Sequence, residues 1–161
     1  MNESIQPNIE AVLVARCRER GLRIATAESC TGGLVSARIT SVPGASSVFM
    51  GGVVSYANEM KRDMLGVPQE VLERVGAVSA ECAEAMAAGA RLRLGADAAV
   101  SVTGIAGPDG GTPLKPVGLV FFGLATAAGV RAESRVFAGG RDAVRSQAAG
   151  HALSLLLQAA R

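Results

Sequence analysis

Histidine, lysine and aromatic residues are scarce in this chain, and each scarcity removes a class of chemistry. Among 161 residues there is no Trp, one Tyr (Tyr56), four Phe and one His (His151). Counting alone excludes catalysis by a pair of histidines and a His-rich metal site. It also excludes single-strand nucleic-acid binding on a row of stacked rings. Only two lysines occur, Lys61 and Lys115, because the other 14 of the 16 basic residues are Arg. The three cysteines, Cys17, Cys30 and Cys82, are odd in number and form no C-x-x-C pair. They make a poor disulfide framework and a poor zinc site, and they suit a reducing compartment. The opening Met-Asn-Glu-Ser-Ile-Gln-Pro lacks the basic-then-apolar pattern of a signal peptide. The uncharged stretch Val117 to Val130 is shorter than a membrane span. A soluble, cytoplasmic protein without a membrane partner is expected. A net charge of +2 gives no reason to expect nucleic acid either.

What is present is a core. With 49% hydrophobic and 19% charged residues, the chain can fold as one domain over residues 1–161. Residues 8–20 place Ile9, Val12, Leu13 and Cys17 at helical spacing, with Gly21 as the stop. Leu22 to Thr26 reads as a strand. Leu34 to Ile39 resumes a helical period, broken at Pro43-Gly44. Val48 to Tyr56 reads as a strand and Glu59 to Leu65 as a short helix ended by Gly66. Another short helix begins at Pro68, an allowed first position. Ser79 is an N-cap for an Ala-rich helix reaching Leu94, whose small side chains permit close packing against a sheet or a second subunit. Ala98 to Thr103 is a fully buried strand. Val117 to Ala125 and Val130 to Phe137 form a hairpin around Ala127-Ala-Gly129, and Asp142 to Ala160 is the final helix. Helices alternating with strands, followed by a late hairpin, predict a three-layer α/β/α domain. Its sheet is expected to be mixed and mostly parallel, with about five strands. The Ala-rich helix and the uncharged hairpin offer surfaces for a homo-oligomer.

Four places carry candidate chemistry. Glu28-Ser29-Cys30-Thr31-Gly32-Gly33 joins a strand end to a helix, where free N–H groups favour an anion or the oxyanion of a tetrahedral intermediate. An ordinary capped turn explains the same residues. Thr103-Gly104-Ile105-Ala106-Gly107-Pro108-Asp109-Gly110-Gly111 is glycine-rich enough to present several N–H groups to a phosphate, yet it is neither a P-loop nor a dinucleotide fingerprint. The third place is Tyr56-Ala-Asn58-Glu59-Met-Lys61, which holds the only Tyr and one of the two Lys. Arg cannot shed a proton at working pH, whereas a desolvated Lys can act as a general base. A Ser–Lys dyad is therefore available where a Ser–His–Asp triad is doubtful, although composition alone favours a solvated helix lysine for Lys61. Fourth, Arg141 and Arg145 lie four apart at the start of the final helix. They could take a phosphate or carboxylate, or be a surface pair. Cys30 is a rival nucleophile to Ser29. His151, inside an amphipathic helix, reads as a packed side chain.

Taken together, these segments resemble the family of C-terminal domains of the competence/damage-inducible protein CinA, whose stand-alone members are nicotinamide-nucleotide amidases. Four blocks match in order: Thr26 to Gly33, Val54 to Lys61, Gly76-Ala-Val-Ser79, and Ser101 to Gly111. Lys115-Pro-Val-Gly118 and Arg141 to Arg145 extend the match, with Gly140 departing from the acidic or amide residue often found there. The resemblance implies a deamidase that converts nicotinamide mononucleotide to nicotinate mononucleotide and ammonia, with no metal or other cofactor. By this resemblance Ser29 is the nucleophile, Lys61 the general base, and Tyr56 a relay or a positioner of Lys61. Cys30, Thr31, Gly32, Gly33, Asn58, Thr103, Gly104, Ala106, Gly107, Arg141 and Arg145 would hold substrate, with amides of the Thr31-Gly32-Gly33 turn on the oxyanion. The alternatives are a non-catalytic nucleotide-binding or regulatory domain of the same family, and an amidase for another small amide.

Overall fold

The computed structural model describes residues 8–161, so the signal-peptide expectation for residues 1–7 lies outside the described residues. Short-range chemistry sets many element ends. Helix α1 (Ile9–Arg20) opens with the Asn8 side chain accepting the Ala11 N–H at 3.0 Å, and closes at Gly21 with φ +64°. That left-handed conformation costs glycine nothing, which is why the stop is legible. Strand β1 (Ile24–Glu28), helix α2 (Leu34–Thr40), a 3-10 turn (Ala45–Ser47) and strand β2 (Phe49–Val54) follow. Then come helices α3 (Asn58–Leu65), α4 (Gln69–Arg74) and α5 (Ala80–Arg93), and strands β3 (Ala98–Gly104), β4 (Leu119–Thr126) and β5 (Gly129–Val136). Helix α6 (Arg141–Ala159) ends the chain.

The five strands form one sheet in the order β2-β1-β3-β4-β5. β1 pairs in parallel with β2 and β3, whereas β4 is antiparallel to both β3 and β5. Four of the five strands thus share one direction, and the sheet is mixed and mostly parallel as expected. Two cores cover its faces. One gathers Leu13, Val35, Ile39, Val100, Phe122 and Leu153 beneath α1, α2 and α6. The other gathers Ala25, Leu65, Leu72, Cys82, Met86 and Ala99 beneath α3, α4 and α5. Successive residues of β3 alternate between them, Val100 and Val102 to one side and Ala99 to the other, as the strand period of two requires.

Several boundaries differ from the local reading, each for a tertiary reason. β1 runs to Glu28 because Ala27 and Glu28 find partners on both sides, in β2 and β3. At its other end, Leu22 N–H bonds the Cys17 carbonyl and Arg23 N–H the Asp97 carboxylate, which keeps both outside the strand. β2 ends at Val54, and Pro68 caps α4 from outside it. The 3-10 turn after α2 was not signalled, and Gly129 opens β5 instead of sitting in the turn.

Helix α5 uses its small residues against the sheet: Cys82, Ala83, Met86, Ala87 and Ala90 are all buried. A Cβ added to Gly123 on β4 would collide with the Ala83 carbonyl oxygen, and one on Gly89 would collide with the Leu65 carbonyl oxygen. The Ser101 hydroxyl locks this contact, donating to the Ala83 carbonyl and accepting the Gly123 N–H at 3.0 Å. A backbone-to-backbone approach leaves no room for relaxation. Gly123→Ala is therefore expected to lower stability by about 1–3 kcal/mol, the range for overpacking a tight core. Urea denaturation checks this, and an unchanged midpoint would contradict the close approach.

Candidate active site

Three consecutive features of the chain converge at the carboxyl ends of β1 and β3. Glu28, the last residue of β1, accepts the Ser55 N–H on its carbonyl at 2.8 Å, and Ser29 donates its own N–H to Val102 of β3 at 2.9 Å. Ser29 is thus pinned between the exits of β2 and β3, which is where open α/β sheets place ligands. The Glu28 side chain, 1% exposed, reaches forward to α2. Its carboxylate accepts the Val35 and Ser36 N–H groups at 2.9 and 3.0 Å and the Ser36 hydroxyl at 2.8 Å. Gly33, the formal cap residue of α2, contributes no side-chain bond. The strand end therefore caps the next helix and fixes the turn between them.

Lys61 meets Ser29 from the other side. Helix α3 buries Lys61 and Leu65, four residues apart on one face, while Met60 and Met64 are exposed. Lys61 is 1% exposed, and its Nζ lies 2.9 Å from Ser29 Oγ, 2.8 Å from the Ser55 carbonyl oxygen and 3.0 Å from that of Tyr56. Among the described residues no carboxylate pairs with it. Burial disfavours the charged form, so its pKa is lowered from the ordinary lysine value. A neutral amine has two N–H donors and one lone pair. In that form, with Ser55 and Tyr56 taking the donors, the lone pair would be left for the Ser29 hydroxyl, which is the arrangement a general base needs.

The thiol of Cys30 is no rival on these terms. Burial pushes its pKa up to about 11, so it stays protonated at neutral pH. Lys61 is hydrogen-bonded to Ser29, not to Cys30.

A cavity of about 220 Å³ opens over this pair. Of the residues expected from sequence, it brings together Ser29, Cys30, Tyr56, Asn58, Lys61, Thr103, Gly104, Ala106 and Arg141. Ala77 and Val78 complete the wall. The signal for them was present in the Gly76-Ala-Val-Ser79 block, though neither side chain carries chemistry to draw attention. The Thr103 hydroxyl donates to the Ala77 carbonyl at 2.9 Å and so fixes this wall. At the mouth, Arg141 donates to the Gly107 carbonyl at 2.8 Å and to the Tyr56 phenol oxygen at 3.3 Å. Tyr56, 61% exposed, therefore touches Lys61 through its carbonyl and not through its ring.

Thr31, Gly32, Gly33, Gly107 and Arg145 do not line the cavity. Gly32 turns its N–H back to the Ser29 carbonyl at 3.0 Å, closing the turn, so that donor is occupied. Arg145 does not stand free beside Arg141 for an anion. Its Nε donates to the Cys30 carbonyl at 3.1 Å and its Nη2 to the Thr31 carbonyl at 3.0 Å. His151 lies outside this wall, its ring 4.5 Å from Phe122 between centroids and its Nε2 against the Glu133 carboxylate. It is the packed histidine that its helix suggested. Among the described residues no three His, Cys, Asp or Glu side chains come together to hold a metal, and no helix is long and apolar enough to cross a membrane.

Comparison with known proteins gives one consistent answer. A family model described as the CinA C-terminal domain matches residues 6–160. A CinA-like protein of Geobacter sulfurreducens is 53% identical over 148 residues, covering 92% of this chain and 36% of that protein. A putative competence-damage inducible protein of Symbiobacterium thermophilum is 56% identical over 147 residues, covering 86% and 34%. The chain thus spans about a third of the length of the curated relatives it matches. Among solved structures, a CinA superfamily protein from Klebsiella pneumoniae superposes with a TM-score of 0.90 at 33% identity, covering 94% of this chain and 95% of that one. A competence/damage inducible protein from Agrobacterium tumefaciens gives 0.87 at 43% identity, covering 96% and 98%.

The buried Lys61 makes a stability prediction. Its lowered pKa means that the unfolded chain binds a proton more readily than the folded one. Stability from this group then rises with pH from the depressed folded value up to the unfolded value of about 10.4. The burial penalty is full below that window and gone above it. Wild type should therefore gain stability relative to Lys61→Met as pH climbs toward about 10.4. Urea midpoints across a pH series test this, and parallel curves for the two proteins would refute it.

Proposed function

The chain belongs to the CinA C-terminal domain family, and from that premise we propose that it is a nicotinamide-nucleotide amidase, converting nicotinamide mononucleotide to nicotinate mononucleotide and ammonia. One observation carries the reading: a lysine with no carboxylate partner among the described residues, fully buried, 2.9 Å from a serine hydroxyl at the floor of a cavity. A structural lysine would be better placed in solvent. A lysine whose charged form is disfavoured by burial, set against a hydroxyl, is positioned to remove its proton.

In the proposed sequence, Ser29 Oγ passes its proton to Lys61 Nζ and attacks the carboxamide carbon of the nicotinamide. The resulting oxyanion is met by free N–H groups of the nucleophile turn, each worth about 3 kcal/mol. Among the described residues the N–H groups of Cys30, Thr31 and Gly33 have no protein acceptor, so these replace the Gly32 amide, which closes the turn. Lys61, now an ammonium, gives its proton to the departing nitrogen as the C–N bond breaks. Ammonia leaves, and the acyl group remains on Ser29 as an ester. Water then attacks the ester carbon while Lys61 takes one of its protons, and that proton returns to Ser29 Oγ as the acid departs. A cavity of about 220 Å³ suits the ring and its amide. The ribose phosphate would extend to the mouth, where the Arg141 guanidinium can exchange the Tyr56 phenol for a phosphate oxygen.

Ammonia release from nicotinamide mononucleotide is the test. Ser29→Ala and Lys61→Met are each expected to lower kcat by at least about 10³-fold, the scale of losing a nucleophile or its base, whereas Cys30→Ala keeps activity. The kcat/KM profile should rise with pH through the lowered pKa of Lys61, giving a limb below the ordinary value of about 10.4. Ammonia from free nicotinamide or glutamine instead would shift the substrate. Tight nucleotide binding without ammonia would favour a non-catalytic binding domain.

A further inference from the structure

Arg145 does not line the cavity, and its two bonds go to consecutive carbonyls of the nucleophile turn, Cys30 and Thr31. Both peptide units are trans, since among the described residues only Gly107–Pro108 is cis. A planar trans peptide carries its N–H opposite its C=O, so a side chain that holds the carbonyl also aims the amide. With the Cys30 carbonyl drawn to Arg145, the Thr31 N–H points away from Arg145, and the two residues before it, Ser29 and Cys30, line the cavity. That N–H has no protein acceptor among the described residues. With the Thr31 carbonyl drawn to the same guanidinium, the Gly32 N–H is directed onto the Ser29 carbonyl.

The turn needs such a restraint. Gly32 and Gly33 both have positive φ, +58° and +103°, so the Thr31–Gly32 and Gly32–Gly33 units that follow the Cys30–Thr31 peptide rotate at low cost and leave it weakly anchored on that side. A flipped Cys30–Thr31 unit would present a carbonyl where an amide donor is wanted. Arg145 opposes the flip with two charge-assisted bonds in a fork that is always charged. Gly32 lies against it: a Cβ there would stand 3.4 Å from Nη2.

We propose that Arg145 is a positioning residue that holds the Thr31 amide in place as the oxyanion donor, and is not a ligand of the substrate phosphate. The proposal rests on the acyl-transfer chemistry assigned to Ser29 above. The two roles separate when kcat and KM are measured for nicotinamide mononucleotide and for nicotinamide riboside, which lacks the phosphate. For Arg145→Ala, kcat should fall by about 10²–10³-fold on both substrates, the loss seen when one oxyanion donor is removed, with KM little changed. Arg145→Lys, able to reach only one carbonyl at a time, should fall between that variant and wild type. Guanidinium ion added to Arg145→Ala should restore part of kcat, which a folding defect would not allow. The acid limb of the pH profile, set by Lys61, should stay where it is in wild type.

A parallel readout is the rate at which p-nitrophenyl acetate acylates Ser29. It should drop with the same variants by a similar factor, and it involves no phosphate. A raised KM for the nucleotide alone, with kcat intact, would overturn the proposal and make Arg145 a phosphate ligand. Unchanged kcat and acylation rates in Arg145→Ala would overturn it as well. If wild type released no ammonia but was acylated at Ser29 in an Arg145-dependent way, the substrate assignment would fall and the positioning role would stand. Absence of any acylation at Ser29 would overturn both.

Discussion

Lys61 carries its nitrogen into the interior with three oxygens around it and no counter-charge among the described residues, and much of the surrounding structure follows from holding it there. An ammonium in that place is costly, because its charge is taken out of water with no carboxylate to balance it. The fold lowers the cost by setting two backbone carbonyls where the amine can donate. Those carbonyls belong to Ser55 and Tyr56, the residues that leave β2, so the strand ends where it does because its next two peptides serve the lysine. The third oxygen is the serine. Strand end, lysine and serine are one hydrogen-bonded unit, and moving any of them disturbs the other two.

The turn carrying Ser29 is held from two sides by opposite charges. Glu28 precedes it and binds donors at the start of α2, while Arg145 from α6 binds its carbonyls. Acceptors are thus supplied to free donors and donors to free acceptors, so the polar groups around a glycine-rich turn are matched. The arrangement ties α2, α6 and β1 to one loop. It also explains why a short turn with two left-handed glycines can be as defined as a strand.

Much of the fold was legible in the chain. Gly21 as the end of α1, Ser79 as the cap of α5 with its hydroxyl accepting the Cys82 N–H, and the fully buried β3 follow from local chemistry. The candidate nucleophile and base were legible too, though for an indirect reason. In a chain where Arg does nearly all the cationic work, a retained Lys beside the only Tyr marks a place where a removable proton is useful. Helix α3, however, has two competing stripes. Met60 and Met64 are the apolar pair that a hydrophobic period would bury, yet they are exposed and Lys61 and Leu65 go inside. The reason is across the sequence: Gly89 of α5 admits the Leu65 carbonyl, which rotates α3 so that its lysine faces Ser29.

The same distinction runs through the whole molecule. Sequence by itself determined the residue inventory, the alternation of elements that makes an α/β/α sandwich, and the short list of groups able to do acyl chemistry without histidine. These rest on composition and on contacts within a few residues, which the order of the chain specifies. Tertiary structure alone decided which roles those groups could take. It buried Lys61 and so lowered its pKa, raised that of the Cys30 thiol, and bonded Arg145 to the Cys30 and Thr31 carbonyls. Desolvation and the direction of a peptide dipole depend on neighbours 32 to 115 residues away along the chain, and only the packed fold brings those neighbours together.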